Sequence, residues 1–444
     1  MSNREFKKAS FVALNMLKEN GFEAYLIGGS VRDFIMELPI GDIDITTNAT
    51  PNQVKEVFKD FRVIETGIKH GTVTVLVDNE PIEITTYRSE TTYSDNRHPD
   101  SVSFSNSLED DVIRRDFTMN AIAYNFQNGF CDYTGGIDDI KNKTIRCIGD
   151  AELRFREDAL RILRALRFSS VLGFTIEEKT SLAIHKCKNL LKNISAERIQ
   201  VEFVKLICGK NAHLILNEYS DVICVFIPEL KATIGFDQHN RHHIFDVFTH
   251  TLKALEQSKK EKHIRLALLF HDIAKPLVAR FDEDGEQHFY NHPKKSAALT
   301  EQILTRLKFD NDTKNKVVTL VELHDTPIML NDSISEKRLK RILSKIGIDA
   351  TYDLIEIKRC DNLGQSEKYY RGDDFYNEAL SIIDRIINNN ECFNIKSLAI
   401  NGNDLIELGF KGKEIGKILE KCLNGVMDGK VHNTREDLIK YIDK

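Results

Sequence analysis

The feature that most restricts the fold is a change of hydrophobic period near residue 150. Before it, short β-branched runs alternate with brief helical stretches; after it, apolar residues recur at helical spacing to the C-terminus, joined by short polar connections. This patterning predicts an α+β protein with a small mixed-sheet head and an all-helical body. With 444 residues, 41% of them hydrophobic, the chain is long enough to build several cores. We expect a head over 1–140, a helical neck over 141–230, a further helical domain over 236–345 and a helical tail over 346–444.

In the head, residues 4–20 carry helical periodicity. Ala24-Tyr25-Leu26-Ile27 reads as a short apolar strand running into Gly28-Gly29, and a helix starts over Val31–Met36. Glycines at this point let the backbone approach a phosphate, and the helix offers unpaired amides and the positive end of its dipole. Gly28, Gly29 and Arg32 are therefore candidate triphosphate ligands, while a tight turn alone would use the same glycines. Further strands are expected at 43–46, 72–77 and 82–87. Asp42 and Asp44 alternate, so both carboxylates share a face, the arrangement that holds Mg²⁺ between triphosphate oxygens and an attacking hydroxyl. Glu83 is the candidate third carboxylate; a solvated strand position would explain it equally well.

Five motifs follow in order: Gly28-Gly29-Ser30-Val31-Arg32-Asp33, Gly41-Asp42-Ile43-Asp44, Arg114-Arg115-Asp116-Phe117-Thr118-Met119-Asn120-Ala121, Glu157-Asp158-Ala159-Leu160-Arg161 and Glu197-Arg198-Ile199. This set resembles the bacterial tRNA nucleotidyltransferase and poly(A) polymerase family of the polymerase-β-like superfamily. The resemblance covers the chain to about residue 230 and more loosely the remainder. It implies a polymerase-β-like nucleotidyltransferase head, with Arg115 on phosphate and Asp116 on the ribose hydroxyl; Asn120 can hold a neighbouring backbone group. The implied reaction is untemplated addition of CCA to the tRNA 3′ end from CTP and ATP, the 3′ hydroxyl attacking the α-phosphate at a two-metal Mg²⁺ site.

Residues 157–167 read as one continuous helix, which places Asp158 and Arg161 three apart on one face. An acceptor beside a forked donor can mimic a base-pairing partner, and the resemblance implies that this pair selects C and A. Arg164 and Arg167 continue at three-residue steps as a basic spiral toward triphosphate or RNA. A salt bridge and a solvated face are the plainer account of the same residues. Residues 89–100 read as a polar loop, and the resemblance implies that a loop here, with Tyr93, Asp95, Arg97 and Pro99, accompanies addition of the final A, which favours CCA or A addition over CC alone; an ordinary solvated connection would use the same residues.

Farther on, His250, His271-Asp272 and Asp325, with Lys275 nearby, resemble the ordered ligands of the HD metal-dependent phosphohydrolase superfamily. Imidazoles and carboxylates suit a divalent cation, so a second metal site is expected in this HD-type domain; an active domain would do phosphatase or cyclic phosphodiesterase work on a damaged RNA end, while an inactive one would serve as a scaffold. The tail carries glycines and lysines over 400–416 that suit either a tRNA phosphate or simple helix-end turns.

The net charge of −6 confines nucleic-acid contact to patches. Eight scattered cysteines without a Cys-x-x-Cys pair argue against a zinc ribbon or a disulfide framework. Apolar runs are too short for a membrane span and the N-terminus lacks a signal-peptide pattern, so a cytoplasmic address with no membrane partner is expected. The rival activities are an A-adding enzyme or poly(A) polymerase, a pure HD phosphohydrolase, and a protein-uridylylating regulator. The regulator would need no Asp-x-x-Arg selector.

Overall fold

The computed structural model describes residues 6–65, 67–68, 71–90, 102–328, 330 and 333–442. The expected loop motif at 93–99 lies outside the described residues. The chain forms two compact units, 1–228 and 229–444.

The first unit opens with α1 (Lys8–Glu19), β1 (Ala24–Ile27), α2 (Gly29–Ile35), β2 (Ile43–Thr47), α3 (Pro51–Val57), β3 (Arg62–Ile64), β4 (Thr72–Val77) and β5 (Glu80–Thr86). A small ribbon of β6 (Arg88–Glu90) and β7 (Val102–Phe104) follows, then α4 (Leu108–Ile113), β8 (Ile122–Asn125), β9 (Gly129–Asp132) and α5 (Gly136–Lys141). Seven strands form one mixed sheet in the order β3-β4-β5-β2-β1-β8-β9. Only β2 and β5 run parallel in this sheet. Central β1 is buried at every residue, whereas β4 buries only alternate residues, as period two requires of a strand with one covered face.

The neck is helical: α6 (Ala151–Glu157), α7 (Leu160–Leu172), α8 (Glu178–Cys187), α9 (Ala196–Ile207), α10 (Ala212–Glu218) and α11 (Ser220–Ile223). Leu160, Ile162, Leu163 and Leu166 anchor α7, which ends on Gly173 at φ 76°, a left-handed cap that suits glycine. The single helix expected over 157–167 is interrupted. Asp158 is extended at φ −139°, and its Oδ1 accepts from Leu160 N at 3.1 Å. A short acidic side chain competes for a backbone donor there and starts a new helix instead of continuing the old one.

The second unit contains α12 (Val247–Glu256), α13 (Lys262–Phe270), α14 (Lys275–Val278), α15 (His292–Arg306), α16 (Asn311–Leu323), α17 (Ser333–Ile346), α18 (Ile348–Leu363), α19 (Asp373–Asn388), α20 (Gly402–Glu407), α21 (Lys413–Met427) and α22 (Arg435–Ile442). Helix α13 is buried from Ile264 through Phe270, which explains its uninterrupted apolar run. It packs with α12, α16 and α18. Helix α18 packs both against α12, α13 and α16 before it and against α17 and α19 on either side of it in the chain. Leu339 and Leu343 of α17, Ile355 of α18 and Ile383 of α19 share one core, and Leu405, Cys422, Leu423 and Leu438 of the last three helices share another. No described helix is long and apolar enough to cross a membrane.

Candidate functional site

Strand pairing assembles the carboxylates. Ile27 of β1 lies opposite Asp44, and the parallel register of β2 and β5 sets Asp44 beside Glu83. Asp42 precedes β2 by one residue, and it and Glu83 are exposed while Asp44 is half-buried. Burial pushes the Asp44 carboxyl up to about 6; the Arg115 guanidinium opposes the rise, and Glu83 and Asp42 add to it. An anionic face whose buried member resists ionisation is suited to a divalent cation. At Gly28, φ is 80° and a Cβ would lie 3.2 Å from Asp44 Oδ2 and 3.8 Å from an Arg115 nitrogen, so glycine lets the backbone, carboxylate and guanidinium meet.

Asp111 anchors the arginines of this motif. Buried in α4, it receives Arg114 Nε and Nη2 at 2.9 and 2.7 Å, Arg115 Nη2 at 3.2 Å and the Thr46 hydroxyl at 3.0 Å. Burial alone would raise its pKa; Arg115 and Arg114 outweigh that and lower it. Asp116 receives Arg164 Nε at 2.7 Å, its own neighbour's amide (Phe117 N) at 2.8 Å and Asn120 Nδ2 at 3.3 Å. Asn120 Oδ1 in turn accepts from Arg32 Nη1 at 2.8 Å, while Arg32 also binds Asp33. Burial works against the Asp116 charge, yet Arg164 keeps its pKa below the usual carboxylate range. The structure thus links Arg32, Asn120, Asp116 and Arg164 in one chain of hydrogen bonds and sets Arg115 beside Gly28 and Asp44.

Asp158 and Arg161 do not form the expected helical pair. Arg161 directs Nη1 to Glu157 Oε2 at 2.8 Å and to Arg154 O at 3.1 Å, and Nη2 to Arg114 O at 3.2 Å. Asp158 is held instead by Arg198 Nη2, 3.2 Å from Oδ2. The two side chains are fixed separately because the backbone turns between them. Nor is the basic spiral a solvated face: Arg167 pairs with buried Glu202 at 3.0 Å, and the guanidinium carbons of Arg32, Arg164 and Arg167 lie 5.3, 5.6 and 4.0 Å from the Phe168 ring centre. Asp111, Phe168 and Glu202 are not among the expected site residues, and Arg198 is present only as part of the Glu197-Arg198-Ile199 motif, without a role. Asp111 lies three and four residues before Arg114 and Arg115, the helical spacing of an ion pair.

In the second unit, His250, His271, Asp272 and Asp361 bring one donor atom each to within 4.8 Å of one another. The fourth member is Asp361, not the expected Asp325. His250 Nε2 lies 2.9 Å from Asp361 Oδ1, whereas Asp325 is exposed past the end of α16 and lines only the adjoining cavity. Helix α18 supplies this carboxylate from about ninety residues beyond the histidine-aspartate pair, a packing that no local spacing announces.

Three family matches cover most of the chain: the Poly A polymerase head domain at residues 24–146, the probable RNA and SrmB- binding site of polymerase A at 173–232, and tRNA nucleotidyltransferase domain 2 (putative) at 290–442. A CCA-adding enzyme of Enterococcus faecalis is 47% identical over 51% of this chain, a match spanning about half (55%) of that protein's length. One from Lactobacillus delbrueckii subsp. bulgaricus is 36% identical over 97% of this chain and 96% of its own. The crystal structure of the Bacillus stearothermophilus CCA-adding enzyme in complex with CTP superposes with a TM-score of 0.74 at 27% identity, covering 99% of this chain and 98% of that one. The identity of 36% to the Lactobacillus delbrueckii enzyme over nearly the whole of both chains establishes that this chain belongs to the family of CCA-adding enzymes.

Proposed function

We propose that this protein completes tRNA 3′ ends, adding CCA from CTP and ATP without a nucleic-acid template. The observation that carries this reading is the juxtaposition of Asp42, Asp44 and Glu83 with Gly28 and Arg115, in a chain of this family. Asp42 and Asp44, with Glu83 beside them, would hold Mg²⁺. Bound there, two Mg²⁺ ions supply charge neutralisation for the attacking and leaving oxygens. The backbone of Gly28 and Gly29, with Arg32 and Arg115, takes the triphosphate, and Asp116 and Asn120 take the ribose. Asp158 and Arg161 read the base edge from opposite sides of the α6–α7 break. The tRNA 3′ oxygen then bonds to the α-phosphorus as the bond to pyrophosphate breaks, and catalysis rests on positioning and electrostatic stabilisation.

We assign the head to 1–140 and the neck to 141–230, a span that closes with the first unit at about residue 228. In the second, the histidine-bearing region extends from 236 through α18. The later helices form the tail, where exposed Lys411 and Lys413 flank Gly412 at φ 60° and would meet a tRNA phosphate.

Incubation with tRNA ending before CCA, after CC, or complete, with CTP, ATP or both, tests this function. The expected outcome is C, C, A in order followed by arrest; indefinite A addition would indicate a poly(A) polymerase. The His250, His271, Asp272 and Asp361 group favours a second activity as well. It would bind a divalent cation and hydrolyse a phosphoester, a terminal or cyclic phosphate on a damaged RNA end being the natural substrate.

A further inference from the structure

Asp44 stands on a strand and Arg115 just past the end of a helix, so something must hold the two in register if they are to act on one triphosphate. We propose that Asp111 is a positioning residue for nucleotide transfer, which ties strand β2 to the guanidinium of Arg115 through a single buried oxygen. The inference rests on the reading of the head as a nucleotidyltransferase site.

That oxygen is Oδ2. It receives the Thr46 hydroxyl at 3.0 Å and Arg115 Nη2 at 3.2 Å. Thr46 follows Asp44 by two residues on β2, so the alternation of a strand puts both side chains on one face. Oδ2 therefore links the strand that carries Asp44 to the arginine. The other oxygen, Oδ1, receives Arg114 Nε and Nη2 at 2.9 and 2.7 Å, which fixes the plane of the carboxylate and so the direction of Oδ2.

Arg115 spans from this interior oxygen to the site. Its Nη2 end meets Asp111, while its Nη1 lies within 3.8 Å of where a Cβ on Gly28 would sit, beside Asp44 Oδ2. A planar guanidinium fixed at one end presents the other in one direction. Nη1 is the end that faces the glycine turn proposed to take the triphosphate.

Helix α4, which carries Asp111, is itself pinned. The carbonyls at its C-terminal end have no partner within the helix, and two neck arginines take them: Arg154 Nη2 lies 2.5 Å from Ile113 O and Arg161 Nη2 lies 3.2 Å from Arg114 O. Packing alone is a poorer account of Asp111. It is fully buried, and a buried carboxylate between guanidiniums carries a desolvation cost that an apolar residue of similar volume avoids. What the charges supply is direction, since three side chains converge on two oxygens of fixed separation.

The test measures addition of A from ATP to tRNA ending in CC by the full chain, with Asp111→Asn, Arg115→Ala and both together. The amide puts a donor where a hydroxyl or a guanidinium also donates. We expect Asp111→Asn to lower kcat/KM for ATP about tenfold with KM for the tRNA unchanged, and the double variant to match Arg115→Ala within about twofold. Losses that multiply in the double variant mark two independent effects and overturn the proposal, as does parental activity in Asp111→Asn. If Asp111→Asn does not fold, Thr46→Val removes one donor to Oδ2 and keeps the shape. A loss that disappears in the Arg115→Ala background then supports the link; no loss, or one of equal size in that background, overturns it. A parent chain that adds no nucleotide overturns the transferase reading and this inference with it, whereas an active parent with multiplying losses leaves that reading standing.

Discussion

Arg198 reaches from α9 to Asp158, its Nη2 lying 3.2 Å from Oδ2 and 3.4 Å from Oδ1, so a residue forty positions away fixes one half of the proposed selector. The contact turns a helix break into a defined position for a base-reading carboxylate. Arg198→Ala should leave Asp158 free to rotate, lowering kcat/KM for CTP and ATP about tenfold, equivalent to about 1.4 kcal/mol, and raising misincorporation of UTP and GTP. Single-nucleotide addition assays measure both effects.

Phe168 lies under three guanidiniums that would otherwise repel one another. Phe168→Leu keeps most of the buried volume and removes the ring. The expected loss is about 1 kcal/mol of guanidinium positioning, seen as a several-fold rise in KM for both nucleotides with kcat nearly unchanged. A rise for one nucleotide only would place Phe168 in base choice instead.

Gly28→Ala adds a Cβ 3.2 Å from Asp44 Oδ2 at a backbone φ of 80°. At φ 80° and ψ −139° the backbone lies outside the left-handed helical region, and a residue with a Cβ is strained there by about 1–3 kcal/mol, and the carboxylate must move. Addition should fall by at least tenfold while the far-ultraviolet circular dichroism stays as in the parent chain.

The strands and the glycine turn were legible because they are local: alternation and β-branched residues locate β1, β2, β4 and β5, and period two aligns Asp42 with Asp44. The partners of the site were not. The apolar stripe of Leu160 and Leu163 continues a helical period through Asp158, and nothing nearby shows that Arg198 will hold that side chain extended. Asp361 was missed for the same reason: Asp325 sits next to a clustered histidine in sequence, but α18 packs Asp361 against His250. Long-range packing decides such choices, and a single chain read locally does not contain them.

Acid should weaken the first unit through Asp111 and Asp116. Both have folded pKa values held below the ordinary carboxylate value, so their stabilisation is complete above about pH 4 and is lost as the pH falls through the folded values. Urea midpoints of the parent chain should fall from pH 5 to pH 3, and those of Asp116→Asn should start lower and fall less steeply. Parallel curves for the two chains would remove Asp116 from the explanation.

The central claim is that one carboxylate face performs the transfer while a separate pair chooses the nucleotide. Nucleotide addition to tRNA ending before CCA, followed one residue at a time for Asp42→Ala and Asp158→Ala, tests this division. The account predicts no product of any length from Asp42→Ala, and from Asp158→Ala products that are extended but of mixed composition. Full activity in Asp42→Ala, or faithful CCA from Asp158→Ala, would contradict it.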